Sequence, residues 1–220
     1  LPQFEAVPPD VSESGHAEKE PERRAAALAE AKAHAVAARR PGALVIAADT
    51  LVECEGEVLG NFTVDDGARR VCFDGENIWV ACYDADSVAK VRAGDGEVLG
   101  IFHYGVRPRD VRFDGEHIWV TSHGGCTVAK VRPSDGYLLA RYAVGKYPQG
   151  ICFEGDNVWV ANVNSLDVTK LRASDGELLG TYPVGESPRF LAFDGKDMWI
   201  TDTDSSTVVR MSIGDGEILG

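Results

Sequence analysis

Four tryptophans, Trp79, Trp119, Trp159 and Trp199, follow one another at a constant interval of 40 residues, and the chain has no others. Phe73, Phe113, Phe153 and Phe193 keep the same interval. From Asn61 to Gly220 the sequence therefore divides into four units without insertions: 61–100, 101–140, 141–180 and 181–220. A fixed period of this length signals one supersecondary unit that can bury its apolar face only against its neighbours.

Each unit has the form "FDGENIWVACYDADSVAKVRAGDGEVLG", followed by a short run such as "IFHYGVRP". In the second unit a strand ends at Phe113 and Asp114-Gly115 makes a tight turn. "HIWVTS" then sets Ile118 and Val120 on one face and Trp119 on the other, "HGG" leads to "CTVAKVR", and Asp135-Gly136 turns into the outer strand "YLLARYAV". Asp-Gly between alternating runs is a strong hairpin signal, because its turn needs positive φ. Four antiparallel strands at a period of about 40 predict propeller blades. The expected fold class is mainly β, with four blades of four strands each. One large ring per blade, the tryptophan, is expected to be buried as a wedge between neighbouring sheets, with the phenylalanines as further structural positions.

On "FDGENIWV", "FDGEHIWV" and "FEGDNVWV" the units resemble the YVTN/NHL-like propellers, a broad group that includes streptogramin lyases. The resemblance implies the fold and not an activity, since propellers of this kind serve as binding platforms, scaffolds and enzymes. Lyase members use a His and Glu pair in the central channel. Here His103, His117 and His123 all fall in one unit without counterparts in the others, so that site is not carried over.

Arg69, Arg109, Gln149 and Arg189 share one register at the start of the innermost strands. Inner-strand entries surround the central channel, so three guanidiniums could converge there on a small anionic ligand, with a protein as the other partner class. The other reading, that each Arg pairs with an Asp of its own or a neighbouring blade, stays open. The loops "YDADS" and "DTDSS" put Asp84 with Asp86, and Asp202 with Asp204, as starting points for a Ca²⁺ site; ordinary loop polarity explains them equally.

The first sixty residues read differently. "PERRAAALAEAKAHAVAARRPG" predicts a helix over about 20–40: Pro21 fits the first turn, Leu28, Ala31, Ala35 and Ala38 share a face, and Pro41-Gly42 ends it. "ALVIAADTLV", about 43–52, is a continuous apolar run that predicts a strand buried on both faces. Residues 1–60 are thus expected to be a partial α/β segment.

"FEAVPPDVSES", "LAEAKAHAVAARRPGALVIAADTLV" and "ECEGEVLG" together resemble the N-terminal half of Maf-type nucleoside triphosphate pyrophosphatases, the septum-formation inhibitor family. Members hydrolyse nucleoside triphosphates to monophosphates with Mg²⁺ or Mn²⁺. The resemblance implies Asp49 as the essential aspartate, Glu13 as a second acidic group and Lys32 as the helix lysine facing the phosphates. From spacing alone, Lys32 reads as a solvated helix residue and Asp49 as a strand end. The family opens with a Ser-x-Ser-Pro-Arg-Arg loop, whereas this sequence starts at Leu1. After "GEVLG" the family has Lys-Pro, with a catalytic lysine, where this chain has Asn61 and Phe62. "GEVLG" also recurs at 96–100 in the repeats, so the two sequence types agree at the point where they join.

A net charge of −13 opposes nucleic acid and anionic membrane surfaces as partners, and no apolar run approaches ~18 residues, so no membrane span is expected. The five cysteines, Cys54, Cys72, Cys82, Cys126 and Cys152, form no CxxC pair and read as buried free thiols, which favours a reducing, cytoplasmic location. With Leu1 rather than Met in first place, a truncated N-terminus is expected, and a preceding signal peptide stays open. "EVLGNFTV" at 57–64 could complete the last blade, yet an open or partly closed arc is expected, leaving apolar blade faces through which the chain could dimerise. The expected function is a propeller binding or scaffold module fused to an incomplete, inactive Maf-like segment. The alternatives are an active Mg-dependent nucleotide pyrophosphatase and a chimeric fragment without evolved function.

Overall fold

The structure, a computed structural model, describes residues 45–47, 51–54 and 57–220, with side chains from Phe62 onward. By contact the chain divides into two units, Leu1–Thr63 with Gly94–Glu97 and Val64–Ala93 with Val98–Gly220.

In the first unit, β1 (Val45–Ala47), β2 (Leu51–Cys54) and β3 (Glu57–Asn61) form an antiparallel sheet in that order. Val45 pairs with Glu53 and Ala47 with Leu51. The apolar run at 43–52, expected as one strand, therefore contributes to two strands that pair with each other. Doubling back lets short strands satisfy one another's backbone groups, which one isolated strand cannot do. The expected helix over 20–40 lies outside the described residues, as do Glu13, Lys32 and Asp49.

The second unit holds the repeats. The first blade is β4 (Ala68–Phe73), β5 (Asn77–Cys82), β6 (Ser87–Arg92) and β7 (Val98–Phe102). The second is β8 (Pro108–Phe113), β9 (Ile118–Ser122), β10 (Thr127–Val131) and β11 (Leu138–Ala143). The third is β12 (Pro148–Glu154), β13 (Asn157–Asn162), β14 (Asp167–Arg172) and β15 (Leu178–Pro183). The fourth has only β16 (Pro188–Phe193), β17 (Asp197–Asp202) and β18 (Thr207–Ser212), with a single bridge from Met211 to Ile218 where the others have an outer strand. Leu219 and Gly220 pair with Arg210 at 2.8 Å in the outer-strand position, so all four units follow the blade pattern.

The core lies between blades. Trp79, Ala81 and Val88 pack on Val111, Ile118 and Val120 of the second blade. Trp119 and Val128 pack on Ile151, Val158 and Leu171 of the third, and Trp159 and Val168 on Leu191, Met198 and Met211 of the fourth. Each of these three tryptophans is fully buried. Trp199, expected to be equivalent, is 37% exposed, because among the described residues no further blade packs over its ring. Phe73 is the mirror case. Phe113, Phe153 and Phe193 pack into the clusters between blades, whereas Phe73 is 47% exposed, having no preceding blade of the repeat to lean on.

Two polar contacts lock this arrangement. The aspartate that ends each inner strand accepts two backbone N–H groups of its turn and the indole Nε1 five residues on: Asp74 to Trp79 at 2.7 Å, Asp114 to Trp119 at 2.6 Å, Asp194 to Trp199 at 2.8 Å. Glu154 takes that place in the third blade and reaches Trp159 at 3.4 Å. The lysine of each "V-x-K" step then crosses to the next blade. Lys90 donates to the Pro133 carbonyl at 2.7 Å, Lys130 to Ala173 at 2.8 Å and Lys170 to Ile213 at 3.2 Å. In the fourth blade Arg210 stands at this position and turns back to Asp197.

Among the described residues no helix is long and apolar enough to cross a membrane. Cys72, Cys82, Cys126 and Cys152 are free, and Cys82 is buried while the other three are half-buried.

Candidate functional site

Every inner strand carries a register shift against its neighbour at the same place. The ladder skips between Ala68 and Arg70, between Pro108 and Val111, between Pro148 and Ile151, and between Pro188 and Leu191. Arg69, Arg109, Gln149 and Arg189 all sit in this irregular step. Bulges twist a strand locally and re-aim the side chains within them, and they recur beside binding sites.

Two further registers meet these residues. The loop after each second strand donates a backbone N–H to the turn before the inner strand: Tyr83 to Gly67 at 2.9 Å, and His123 to Arg107, Val163 to Tyr147 and Thr203 to Ser187, each at 3.1 Å. This bond brings the Tyr83 and His123 rings beside the turn residues. Tyr83 and His123 lie 5.9 Å apart, and His123 stacks on Tyr147 at 4.6 Å and 20°. The guanidinium carbons of Arg69, Arg109 and Arg107 lie 4.2, 5.4 and 5.7 Å from the Tyr83 ring centre. On the other side of the inner strands Arg70 covers Phe190 at 4.2 Å.

The result is a concentration of positive charge in an acidic protein. Arg112, Arg132, Arg172 and Arg210 each pair with a carboxylate. Among the described residues Arg69, Arg107, Arg109 and Arg189 have no such partner. Burial, and then the neighbouring Arg69, lower the pKa of Arg109 from its ordinary value. Burial also pushes the His123 pKa down, helped by Arg109, Arg107 and Arg189 against an opposing hydrogen bond to the Pro148 backbone.

Buried polar atoms without a partner fall in these same registers. They are His123 Nδ1, Gln149 Oε1, Ser187 Oγ and Arg189 Nε, with Asn162 Oδ1 the one such atom elsewhere among the described residues. Buried polar groups are nearly always hydrogen-bonded, to protein, water or ligand, so each of these atoms has room for one more partner.

The acidic loops read as starting points for cation sites serve the fold. Both Asp202 carboxylate oxygens accept N–H groups, from Glu186 at 2.6 Å and Ser187 at 2.9 Å, and Asp86 accepts that of Arg107 at 2.7 Å. Among the described residues no three His, Cys, Asp or Glu side chains gather as a metal cluster. Of the three histidines in the second blade, the sequence singled out all and assigned none. Only His123 joins the cluster, and the signal was its shared register with Tyr83.

This architecture is that of a β-propeller. Solved structures of similar fold include hydrazine synthase from Kuenenia stuttgartiensis, with a TM-score of 0.65 and 21% identity over 72% of this chain and 49% of that one. A streptogramin B lyase structure is also similar, with a TM-score of 0.61 and 18% identity over 70% of this chain and 54% of that one. At such identity the likeness speaks for the fold alone.

The N-terminal part matches something else. Residues 1–71 match the family described as Maf-like protein, a stretch that runs past Gly60 into β4. Among curated relatives, the 7-methyl-GTP pyrophosphatase of Albidiferax ferrireducens is 46% identical over 57 residues, 26% of this chain and 29% of the relative. The dTTP/UTP pyrophosphatase of Moorella thermoacetica is 53% identical over the same length and shares. The chain thus spans under a third of the relatives it matches, and a Maf-like segment is joined to propeller blades.

Proposed function

We propose that this chain is an anion-binding propeller module, with a small carboxylate- or phosphate-bearing ligand held by Arg69, Arg109 and Arg189 beside Gln149, and that its Maf-like segment does not hydrolyse nucleotides. One observation carries the first part: these arginines have no carboxylate partner among the described residues of a chain with net charge −13, and the Nε of Arg189 is buried without any hydrogen-bond partner. A guanidinium offers a planar fork of donors that suits carboxylate and phosphate oxygens.

Calorimetric titration with inorganic pyrophosphate and with citrate tests the proposal. Binding should weaken with salt, and Arg109→Ala should lower affinity by about 10–100-fold, the equivalent of one lost charged hydrogen bond. Absence of binding for both anions, or binding unchanged in an Arg109→Ala, Arg189→Ala double variant, would overturn it.

The match over residues 1–71 favours a second reading, a Mg²⁺- or Mn²⁺-dependent nucleoside triphosphate pyrophosphatase. A divalent cation there would depend on Glu13 and Asp49, with Lys32 near the phosphates, all three outside the described residues. Against activity stands the junction. Where the family has Lys-Pro the chain has Asn61-Phe62, and the first propeller blade begins a few residues later. A triphosphate carries several negative charges, and without that lysine one of the groups that meet them is gone. No pyrophosphate is expected from dTTP, UTP or 7-methyl-GTP with Mg²⁺; release that disappears in Asp49→Ala would reverse the assignment.

A further inference from the structure

We propose that Asp66-Gly67 is a site of spontaneous backbone modification, the one Asp-Gly step of this chain that the fold leaves free to become isoaspartate. The inference goes beyond anion binding and does not depend on it.

The chain has eight Asp-Gly steps. In seven of them the aspartate accepts the N–H of the residue two places on, as Glu76 gives to Asp74 at 2.9 Å in an inner turn and Tyr137 to Asp135 at 3.1 Å in an outer one. The inner turns add the indole of their tryptophan. Outer turns hold the glycine amide as well: the Gly136 N–H donates to the Arg132 carbonyl at 2.9 Å, Gly176 to Arg172 at 2.8 Å and Gly216 to Ser212 at 3.1 Å. Asp66 is exposed and has neither lock. Among the described residues its carboxylate accepts no hydrogen bond, and the Gly67 N–H finds no acceptor. In the second and fourth blades the residue in the register of Gly67 gives its N–H to a carboxylate, Arg107 to Asp86 at 2.7 Å and Ser187 to Asp202 at 2.9 Å. A Cβ at position 67 would collide with Asp84, so the position keeps glycine, the residue that shields its own amide least.

The chemistry needs water alone. The Gly67 nitrogen attacks Cγ of Asp66, an N–Cγ bond forms and a Cγ–O bond breaks. The departing oxygen leaves as water, with the amide hydrogen and the carboxyl proton. Water then opens the cyclic imide at either carbonyl, restoring aspartate or leaving isoaspartate. In isoaspartate the main chain runs through Cβ and Cγ, and the former main-chain carbonyl becomes the free carboxylate. A locked carboxylate or amide must first break its hydrogen bonds, and each such opening slows the reaction. The change falls on two clamps, the Ala85 N–H to the Asp66 carbonyl at 3.2 Å and the Tyr83 N–H to the Gly67 carbonyl at 2.9 Å. Arg69 follows two residues on, its guanidinium carbon 4.2 Å from the Tyr83 ring centre, so isomerisation alters the edge of the arginine cluster.

Peptide mapping of the full chain after warm incubation at mildly acidic pH tests the inference, with isoaspartate read by enzymatic methylation of its carboxylate. In the folded chain Asp66 should convert at least about tenfold faster than any other Asp-Gly step. In urea, where every lock is gone, the eight rates should converge. Asp66→Glu, which cannot close the same small imide ring, should remove the product and melt with the parent. Another Asp-Gly step that keeps pace with Asp66 in the folded chain overturns the inference, as does an Asp66 that reacts only in urea. A contrast that persists in urea also overturns it, by assigning the rate to local sequence. Each readout is made without any anion, so failure here leaves the anion-binding reading standing.

Discussion

His123 shows how one residue couples the proposed site to pH. Its ring lies between Tyr83 and Tyr147, and burial together with Arg109, Arg107 and Arg189 holds its pKa below the ordinary histidine value near 6.5. In the unfolded chain those influences vanish, so the unfolded state takes up a proton first. The contribution of His123 to stability is therefore present above about pH 6.5 and is lost as pH falls through the depressed value. A bound anion reverses the balance by offsetting the arginine charges, which raises the His123 pKa and links binding to proton uptake. Sulfate, whose own charge is constant in this range, should bind more tightly as pH falls below about 6.5. His123→Ala should flatten that dependence in calorimetric titrations; an equally steep profile in the variant would assign the effect to another group.

At the scale of the element, each blade is a sheet closed by one carboxylate. Asp114 accepts two turn N–H groups and the Trp119 indole, so Asp114→Ala leaves three donors without their acceptor. A loss of about 1–3 kcal/mol is expected in urea unfolding, mainly from the buried indole. Trp119→Ala should lose about 3–5 kcal/mol, since the ring is fully enclosed between two blades, and Trp199→Ala clearly less. In the last blade the Asp197 and Lys196 N–H groups and the Trp199 indole hold the Asp194 carboxyl down to about 2. Its contribution persists through the usual carboxylate range and fades as pH drops towards about 2. The blade was legible in the sequence because Asp-Gly turns and alternation are local signals repeated every 40 residues. The same "FDG" aspartate read only as a turn former, although its spacing of five to the tryptophan already held the second role. The site was half legible. Arg69, Arg109, Gln149 and Arg189 stand out as a register, but a register shift between strands is a property of pairing and leaves no mark on one strand's sequence. Tyr83 and His123 share a register, but Val163 and Thr203 hold it in the other units and Tyr147 belongs to another register, so the ring contacts among the three are not written in the repeat.

The whole set of blades is held by contacts that run from each blade to the next. Lys90, Lys130 and Lys170 reach forward in turn, whereas among the described residues Arg210 turns back to Asp197. Trp79, Trp119 and Trp159 keep the same direction. Stability in such an array is close to a sum of nearest-neighbour terms. A blade supported on both sides should open only with its neighbours, whereas the fourth, with an exposed tryptophan, is clamped from one side. In hydrogen exchange the amides of β16–β18 should therefore lose protection first and those of β8–β15 last, and uniform rates across the blades would contradict this. The forward-reaching lysine thus gives unfolding a direction: loss of order starts at the blade where the relay turns back and passes along the repeat, one blade at a time.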